Sequence, residues 1–286
     1  MFKPNLATEP EGPVSFPKLA SVKLDGIRVV TKFGGALTRS LKPVPNLYLR
    51  EKLAPYQNLD GEVIVGPENA PDVYRRTNSA VMSIEGTFDF KFYVFDDLHN
   101  PVAPLSRRLD DLRNRPLPPF IRVLEQTTVN DQAHLDNLYA HFLDRGYEGA
   151  ILRNPQSIYK YGRSTAKSQD MLKLKPFTDS EAIVLSTYEA MENQNEAFTN
   201  ELGQTERSTH QENLVGKGMV GGFIVKDLKS GVEFNCSPGA LTHDERRELF
   251  LSKNEGKILK YRSMAYGVKE KPRFPRFIGW RSTLDM

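Results

Sequence analysis

With 286 residues, of which 39% are hydrophobic and 10% aromatic, the chain can bury a sizeable core in one large domain or two ordinary ones; its net charge of +3 permits a nucleic-acid partner without requiring one. The single cysteine, Cys236, excludes an internal disulfide and a multi-cysteine zinc site, and suits a reducing compartment. No apolar run is long enough to span a bilayer, and residues 1–18, broken by Pro4, Pro10, Pro13 and Pro17, carry no signal-peptide pattern, so a cytoplasmic protein without membrane association is expected.

In chain order, the proline-rich start reads as an extended lead into the first strand, with no separate domain ahead of it. The apolar run over residues 19–30 carries Lys23-Leu24-Asp25-Gly26-Ile27-Arg28, so a lysine, an aspartate and an arginine sit where burial is costly and need compensation. The stretch fits either a strand and turn with a solvated charged edge or the nucleophile motif of covalent nucleotidyltransferases. Residues 29–38 predict a hairpin turning at Gly34-Gly35 that delivers Arg39 and Lys42 at the strand end. Asn46 caps a short helix through Leu53. Strands follow over 59–65, opening with Asp60-Gly61-Glu62, and over 90–98, rich in aromatics. Residues 105–115 and 131–145 predict helices; in the second, Leu135, Leu138 and Phe142 share a face and Gly146 is the stop.

Two short strands are predicted over 149–153 and 171–174, the latter leading into Lys173-Leu174-Lys175-Pro176. After Pro176 the composition shifts. A strand is expected over 178–191, a structureless polar stretch over 192–215, a hairpin over 221–235 and a helix over 243–253. From Gly256 onward eight basic residues face two acidic ones, a net charge of +6, with aromatics between them. Short strands, one helix and a basic surface suit a small β-barrel of the oligonucleotide-binding type.

Taken singly, Asp60-Gly61-Glu62 reads as turn acids, Tyr147-Glu148-Gly149 as a strand entry, and Lys173 with Lys175 as one face of an edge strand. Taken in order, a lysine motif, an arginine, an acidic strand, an aromatic strand, a Glu-Gly and a Lys-x-Lys resemble the ATP-dependent DNA ligases, particularly their compact phage type. The resemblance implies an α+β protein: an adenylyltransferase domain over 1–177, with ATP-grasp-like antiparallel sheets and helices, then an OB-fold DNA-binding domain over 178–286. It implies that Lys23 is the adenylated nucleophile, flanked by Asp25 and Arg28, and that Arg39 grips the phosphate at the nick. Asp60 and Glu62 match the acidic motif that contacts ribose and helps the metal, and Phe95 matches the aromatic that stacks on adenine. Glu148 matches the essential glutamate, and Lys173 and Lys175 the paired lysines on the α-phosphate; Val22 joins the nucleotide site and Arg153 is a further candidate. Glu148, Glu62 and Asp25 are the implied ligands of Mg2+ or Mn2+.

The chemistry agrees with the resemblance. A free lysine, with a pKa of about 10.4, is almost entirely ammonium at neutral pH, so a nucleophilic lysine needs positive charge nearby. Lys173, Lys175, Arg28 and a divalent cation would supply it, and would also stabilise the phosphoryl transition state. The expected partner is nicked duplex DNA, bound by a monomer through phosphate contacts: Arg39, Lys42, Arg207, Lys217, Arg273, Arg276 and Arg281 are the named candidates, with Lys257, Lys260, Arg262, Lys269 and Lys271 beside them. The polar stretch that includes Thr209 and His210 is expected to be a mobile DNA-clasping loop, and a hinge is expected near residues 176–180. Two departures stand out. The family's final Arg-x-Asp-Lys is replaced by Arg281-Ser282-Thr283-Leu284-Asp285-Met286, leaving Arg276 and Arg281 as substitutes, and Ser21 stands where relatives often carry a side chain that helps recognise adenine. An RNA ligase of the same superfamily and a non-catalytic nucleic-acid-binding relative are the alternatives; an NAD-dependent ligase would need a preceding nicotinamide-binding segment and a cysteine zinc module.

Overall fold

The computed structural model describes residues 1–264 and 271–281. The chain divides into two compact units, one of Met1–Lys175 with Glu201–Gly203 and one of Pro176–Asn200 with the residues from Gln204 onward.

In the first unit the run around Lys23 splits into β1 (Lys18–Val22) and β2 (Ile27–Lys32), which belong to different sheets. The turn between them depends on Gly26, because a Cβ there would lie 2.3 Å from the Val63 carbonyl oxygen. β2 returns through β3 (Gly35–Thr38), and the two-residue turn is Phe33-Gly34, one residue earlier than the sequence suggests. Both central residues have positive φ, 56° and 79°, as a type I′ hairpin requires, so Phe33 occupies a conformation usually left to Asn or Gly. Helix α1 (Leu47–Leu53) begins where Asn46, fully buried, accepts the Leu49 N–H at 2.8 Å. β4 (Leu59–Ile64) follows, and then α2 (Val73–Met82), which sequence reasoning did not find: its buried face is only Val73, Thr77 and Val81, two β-branched apolar residues and a hydroxyl.

β5 (Lys91–Asp97) and α3 (Leu105–Arg113) follow, then β6 (Ile121–Val123) and β7 (Thr127–Val129), both too short to show a period. α4 (Gln132–Asp144) ends at Gly146, whose φ of 83° is the expected left-handed stop. β8 (Ala150–Arg153) and β9 (Met171–Leu174) complete the unit. The strand orders are β3-β2-β4-β5-β6 and β7-β1-β8-β9. Leu49, Leu53, Leu105, Leu109 and Leu112 pack α1 and α3 against the first sheet. A second cluster draws Ile64, Tyr93 and Phe95 from that sheet and Val22, Ala150 and Leu174 from the other, so the two sheets meet where the sequence motifs lie.

The second unit opens with β10 (Thr178–Asn193). Residues 192–215 correct an expectation: they hold a hairpin of β11 (Ala197–Thr199) and β12 (Thr205–Arg207) and a short 3₁₀ turn. Polar contacts replace an apolar core there. The Asn195 side chain donates to the Ser208 and His210 carbonyls at 3.0 and 2.7 Å, and Asn193 donates to Ser208 at 2.7 Å. β13 (Leu214–Asp227), β14 (Glu233–Cys236), α5 (His243–Leu251), β15 (Ile258–Met264) and β16 (Arg273–Trp280) follow. The five-stranded sheet runs β14-β13-β10-β15-β16, and its two edges approach through Ser237, which accepts the Phe277 N–H at 2.9 Å and donates its own to Pro275 at 3.0 Å. That brings the sheet round into a small barrel filled by Val184, Phe223, Val225, Phe234, Leu259 and Phe277. α5 carries a capping box between Thr242 and Glu245.

Candidate active site

The first unit encloses a cleft of about 280 Å³ whose lining brings together Val22, Lys23, Arg28, Arg39, Glu62, Phe95, Lys173 and Lys175. These residues are up to 153 positions apart in sequence, so the strand ends of two sheets supply what no single segment could. Lys23 leaves β1 as the strand ends, and its backbone N–H donates to the Gly149 carbonyl at 2.8 Å. Gly149 itself has φ 149°, and a Cβ there would stand 2.1 Å from the Leu174 carbonyl oxygen. The close approach of these three strands places Glu148 beside both lysines. Its carboxylate is ion-paired to the Lys23 ammonium and, at 2.5 Å, to Lys175. Burial alone would raise the Glu148 pKa, but Lys23 and Lys175 together bring it below its ordinary value. Lys175 is shifted down by its own burial and by the neighbouring Lys23 charge.

Glu62 is different. It lines the cleft with no hydrogen-bond partner among the described residues, and burial pushes its pKa up to about 7 against the partial opposition of Lys23 and Arg28. An unpartnered carboxylate beside a paired one suits a hard divalent cation, which takes oxygen ligands and keeps several waters. The described residues hold no group of three or more His, Cys, Asp or Glu placed for a metal, so Glu62 and Glu148 would leave the remaining positions to water and substrate oxygens. Neither Asp25, the third expected ligand, nor Glu148 is among the residues that line the cleft; Glu148 adjoins it through Lys23 and Lys175, which are.

The raised Glu62 pKa has a consequence for stability. A carboxyl that is protonated in the fold up to pH 7, but ionises from about 4.5 when unfolded, contributes stability below 4.5 that is lost as pH rises through 7. In metal-free buffer the melting temperature of the wild type is therefore expected to fall over that window relative to Glu62→Gln. Parallel melting curves for the two proteins from pH 4.5 to 8 would count against this assignment.

Two acids that share the motifs have structural roles. Asp60, expected at the ribose and metal, is fully buried; Arg28 donates to its two oxygens at 2.9 and 2.6 Å, and the Tyr159 hydroxyl donates at 2.5 Å. Asp60 therefore fixes Arg28, which stays protonated and lies 5.3 Å from the Phe95 ring centroid. Asp96 is clamped between Arg108, at 2.7 Å, and Arg153, so Arg153 serves the core as well as lining the cleft. Arg153 also donates to the Phe95 carbonyl at 2.6 Å, tying the aromatic strand in place. Sequence reasoning missed Glu68, whose carboxylate accepts from the hydroxyls of Tyr93 and Tyr147, neighbours of Phe95 and Glu148. It also missed Arg163, Leu6 and Ala7, which line the cleft from loops with no periodic signal.

Of the residues expected on DNA, Arg39 lines the cleft and Lys42 does not. In the second unit Arg207 is exposed and donates to the Asn195 carbonyl, while Lys217 is exposed on β13. Arg273 and Arg276 flank Phe274, which is 70% exposed at a φ of 51°, and Arg276 lies over the Phe177 ring. Arg281 pairs with Glu181 at 3.1 Å, and Arg262 makes a bidentate pair with Asp179, so both are partly engaged within the unit. Lys269 and the residues after Arg281 lie outside the described residues.

Comparison with known proteins agrees with this arrangement. Residues 15–175 match the family model of the ATP dependent DNA ligase domain, and residues 215–281 that of the DNA ligase OB-like domain. A DNA ligase of African swine fever virus is 30% identical over 150 residues, 50% of this chain and 34% of that one. The chain thus spans about a third of the length of that relative. Among solved structures, a Lig E DNA ligase described as binding DNA with a minimal scaffold superposes with a TM-score of 0.75 at 24% identity, covering 98% of this chain and 100% of its own; it establishes the fold. The Chlorella virus DNA ligase-adenylate is 28% identical with a TM-score of 0.54, covering 98% and 99%. The architecture is a nucleotidyltransferase domain followed by an OB-like domain.

Proposed function

The chain belongs to the ATP-dependent DNA ligase family, and we propose that it uses ATP to join a 3′-hydroxyl to a 5′-phosphate at nicks in duplex DNA. The observation that carries this reading is that Lys23, which lines one cleft with Lys173, Lys175, Arg39 and Phe95, contacts Glu148, itself paired to Lys175. In the first step the deprotonated Lys23 amine attacks the α-phosphorus of ATP; a P–N bond forms, the bond to the bridging oxygen breaks, and pyrophosphate leaves. In the second, the nick 5′-phosphate oxygen displaces Lys23 and takes the AMP. In the third, the 3′-hydroxyl attacks that phosphate, loses its proton, and releases AMP.

Each step moves negative charge through the same cleft, which Lys173, Lys175 and Arg39 are placed to stabilise. Glu148 orients the Lys23 amine, and Phe95 offers a flat apolar surface to a nucleobase. A divalent cation, Mg2+ in this proposal, would be held by Glu62 and Glu148 and would supply charge neutralisation at the phosphates. The second unit, with Arg273, Phe274 and Arg276 on β16 and the exposed Lys217, is suited to backbone phosphates and groove shape more than to base sequence. Among the described residues no helix is long and apolar enough to cross a membrane.

The test is direct. Incubation with ATP and Mg2+ is expected to add about 329 Da, one AMP, to the intact protein, as a phosphoramidate requires. The adduct is expected to turn over on a nicked DNA duplex faster than on one whose nick lies in RNA strands. Absence of the adduct in folded protein freed of prior AMP would overturn the ligase reading, and faster sealing of RNA would change its substrate.

A further inference from the structure

One segment of the first unit is left unexplained by the chemistry above. The stretch Asn5–Glu9, expected only as an extended lead, runs beside β9 and the loop before it. Leu6 donates its N–H to Gly162 at 2.9 Å and accepts that of Ser164 at 2.8 Å, while Thr8 donates to Met171 at 3.2 Å and accepts from Lys173 at 2.8 Å. Leu6 and Ala7 form part of the cleft lining.

Three of the cationic side chains of that cleft each find an acceptor in these five residues. Arg28 Nη1 donates to the Asn5 carbonyl at 2.5 Å, Arg163 Nη1 to the Ala7 carbonyl at 2.8 Å, and Lys173 Nζ lies 3.4 Å from Glu9 Oε1. The stretch is itself anchored at its N-terminal end. The Asn5 N–H donates to the Tyr159 hydroxyl at 3.0 Å, and the buried Phe2 ring stacks on Tyr159 and meets Tyr161 edge-on at 5.3 Å between centroids.

From this we infer that Asn5–Glu9 is a strap that helps position cationic side chains lining the nucleotide site. The inference rests on the proposed nucleotide chemistry of the cleft. Positive side chains crowded into one cleft repel one another and turn towards solvent unless something holds them. A carboxylate partner would hold them but cancel their charge; a backbone carbonyl orients a guanidinium and leaves its full charge available to a ligand. Two of the three contacts are of the carbonyl kind: at Arg28, already paired with Asp60, the strap adds alignment, and at Arg163 it orients a guanidinium without cancelling its charge.

Hydrogen exchange on the wild-type protein and kinetics of Phe2→Ala test the strap. With saturating ATP analogue carrying a methylene in place of the α,β-bridging oxygen, which cannot lose pyrophosphate, the amides of residues 5–9 are expected to exchange at least fivefold more slowly. Phe2→Ala, which removes an anchor of the strap at a residue outside the cleft lining, is expected to raise the KM for ATP in lysyl-AMP formation about tenfold, with kcat changed less than threefold. A purely structural role for Phe2 would lower the melting temperature and leave KM alone. Unchanged exchange with the analogue bound, or a folded Phe2→Ala protein with KM within twofold of the wild type, would overturn the strap. If Phe2→Ala does not fold, the exchange measurement decides. A wild type that forms no lysyl-AMP adduct would overturn the ligase reading, whereas normal adduct formation with unchanged exchange would overturn the strap alone.

Discussion

Lys23→Ala is expected to remove the AMP adduct completely and to lower sealing of an ordinary 5′-phosphate nick by on the order of 10⁴-fold or more, the scale seen when a covalent nucleophile is deleted. The protein should remain folded. Glu148 loses one of its two partners but keeps Lys175 at 2.5 Å, so no buried charge is left alone. Because Lys23 attacks only in the first step and leaves in the second, a nick supplied already adenylated at its 5′-phosphate bypasses it. On that substrate the variant is expected to lie within about a hundredfold of the wild type, the remaining loss reflecting one missing cation in the phosphate cleft. An adduct persisting in Lys23→Ala, located by peptide mapping to another residue, would reassign the nucleophile. A pre-adenylated nick that stays as inert as the ordinary one would show that Lys23 acts beyond forming the adduct.

The parts of this site that were legible in the sequence are those whose chemistry is local. Lys23-x-Asp-Gly-x-Arg, Glu148-Gly and Lys173-x-Lys175 each announce themselves within a few residues, because each places a charge at the end of an apolar strand. What each charge does there was less legible. Asp60 and Glu62 stand two residues apart on β4, so their side chains share a face of the sheet, yet one is sealed against Arg28 and Tyr159 while the other opens into the cleft. Nothing in Asp-Gly-Glu says which of the two acids is sealed until the partners brought by Arg28 and Tyr159 are known. The strap and Arg163 were missed for a related reason. Asn5 meets Tyr159 from 154 residues away, and Ala7 meets Arg163 from 156, through contacts that leave no periodic mark on either stretch. The β11–β12 hairpin escaped because asparagine side chains bonding to carbonyls, with no apolar alternation, give it its order.

The second large effect lies in the core beneath Phe95. Asp96 is fully buried between Arg108, 1% exposed, and Arg153, 3% exposed. Burial alone would raise the Asp96 pKa, but the two guanidinium groups reverse that and hold it below the ordinary carboxylate value. Removing one partner from a buried ion pair typically costs about 3–5 kcal/mol, because the charge left behind has no water to turn to. Here the two ends of the triad are unequal. Arg108→Ala leaves Asp96 still paired with Arg153, so its cost is expected near the low end, about 3 kcal/mol. Asp96→Ala strands two buried guanidinium groups beside each other and is expected to cost about 5 kcal/mol or more. At about 2–4 °C per kcal/mol for a unit of this size, the melting temperature should fall by roughly 6–12 °C in the first case and by roughly 10–20 °C in the second. Denaturant unfolding of the two variants measures the order directly, and Arg108→Ala proving the more damaging would refute the account of Arg153 as a shared partner. The same triad bears on the cleft, since Arg153 donates to the Phe95 carbonyl at 2.6 Å. In Asp96→Ala the guanidinium loses the carboxylate that aims it, so nucleotide affinity should fall together with stability, whereas in Arg108→Ala, with the Arg153–Asp96 pair intact, stability should fall with affinity largely preserved.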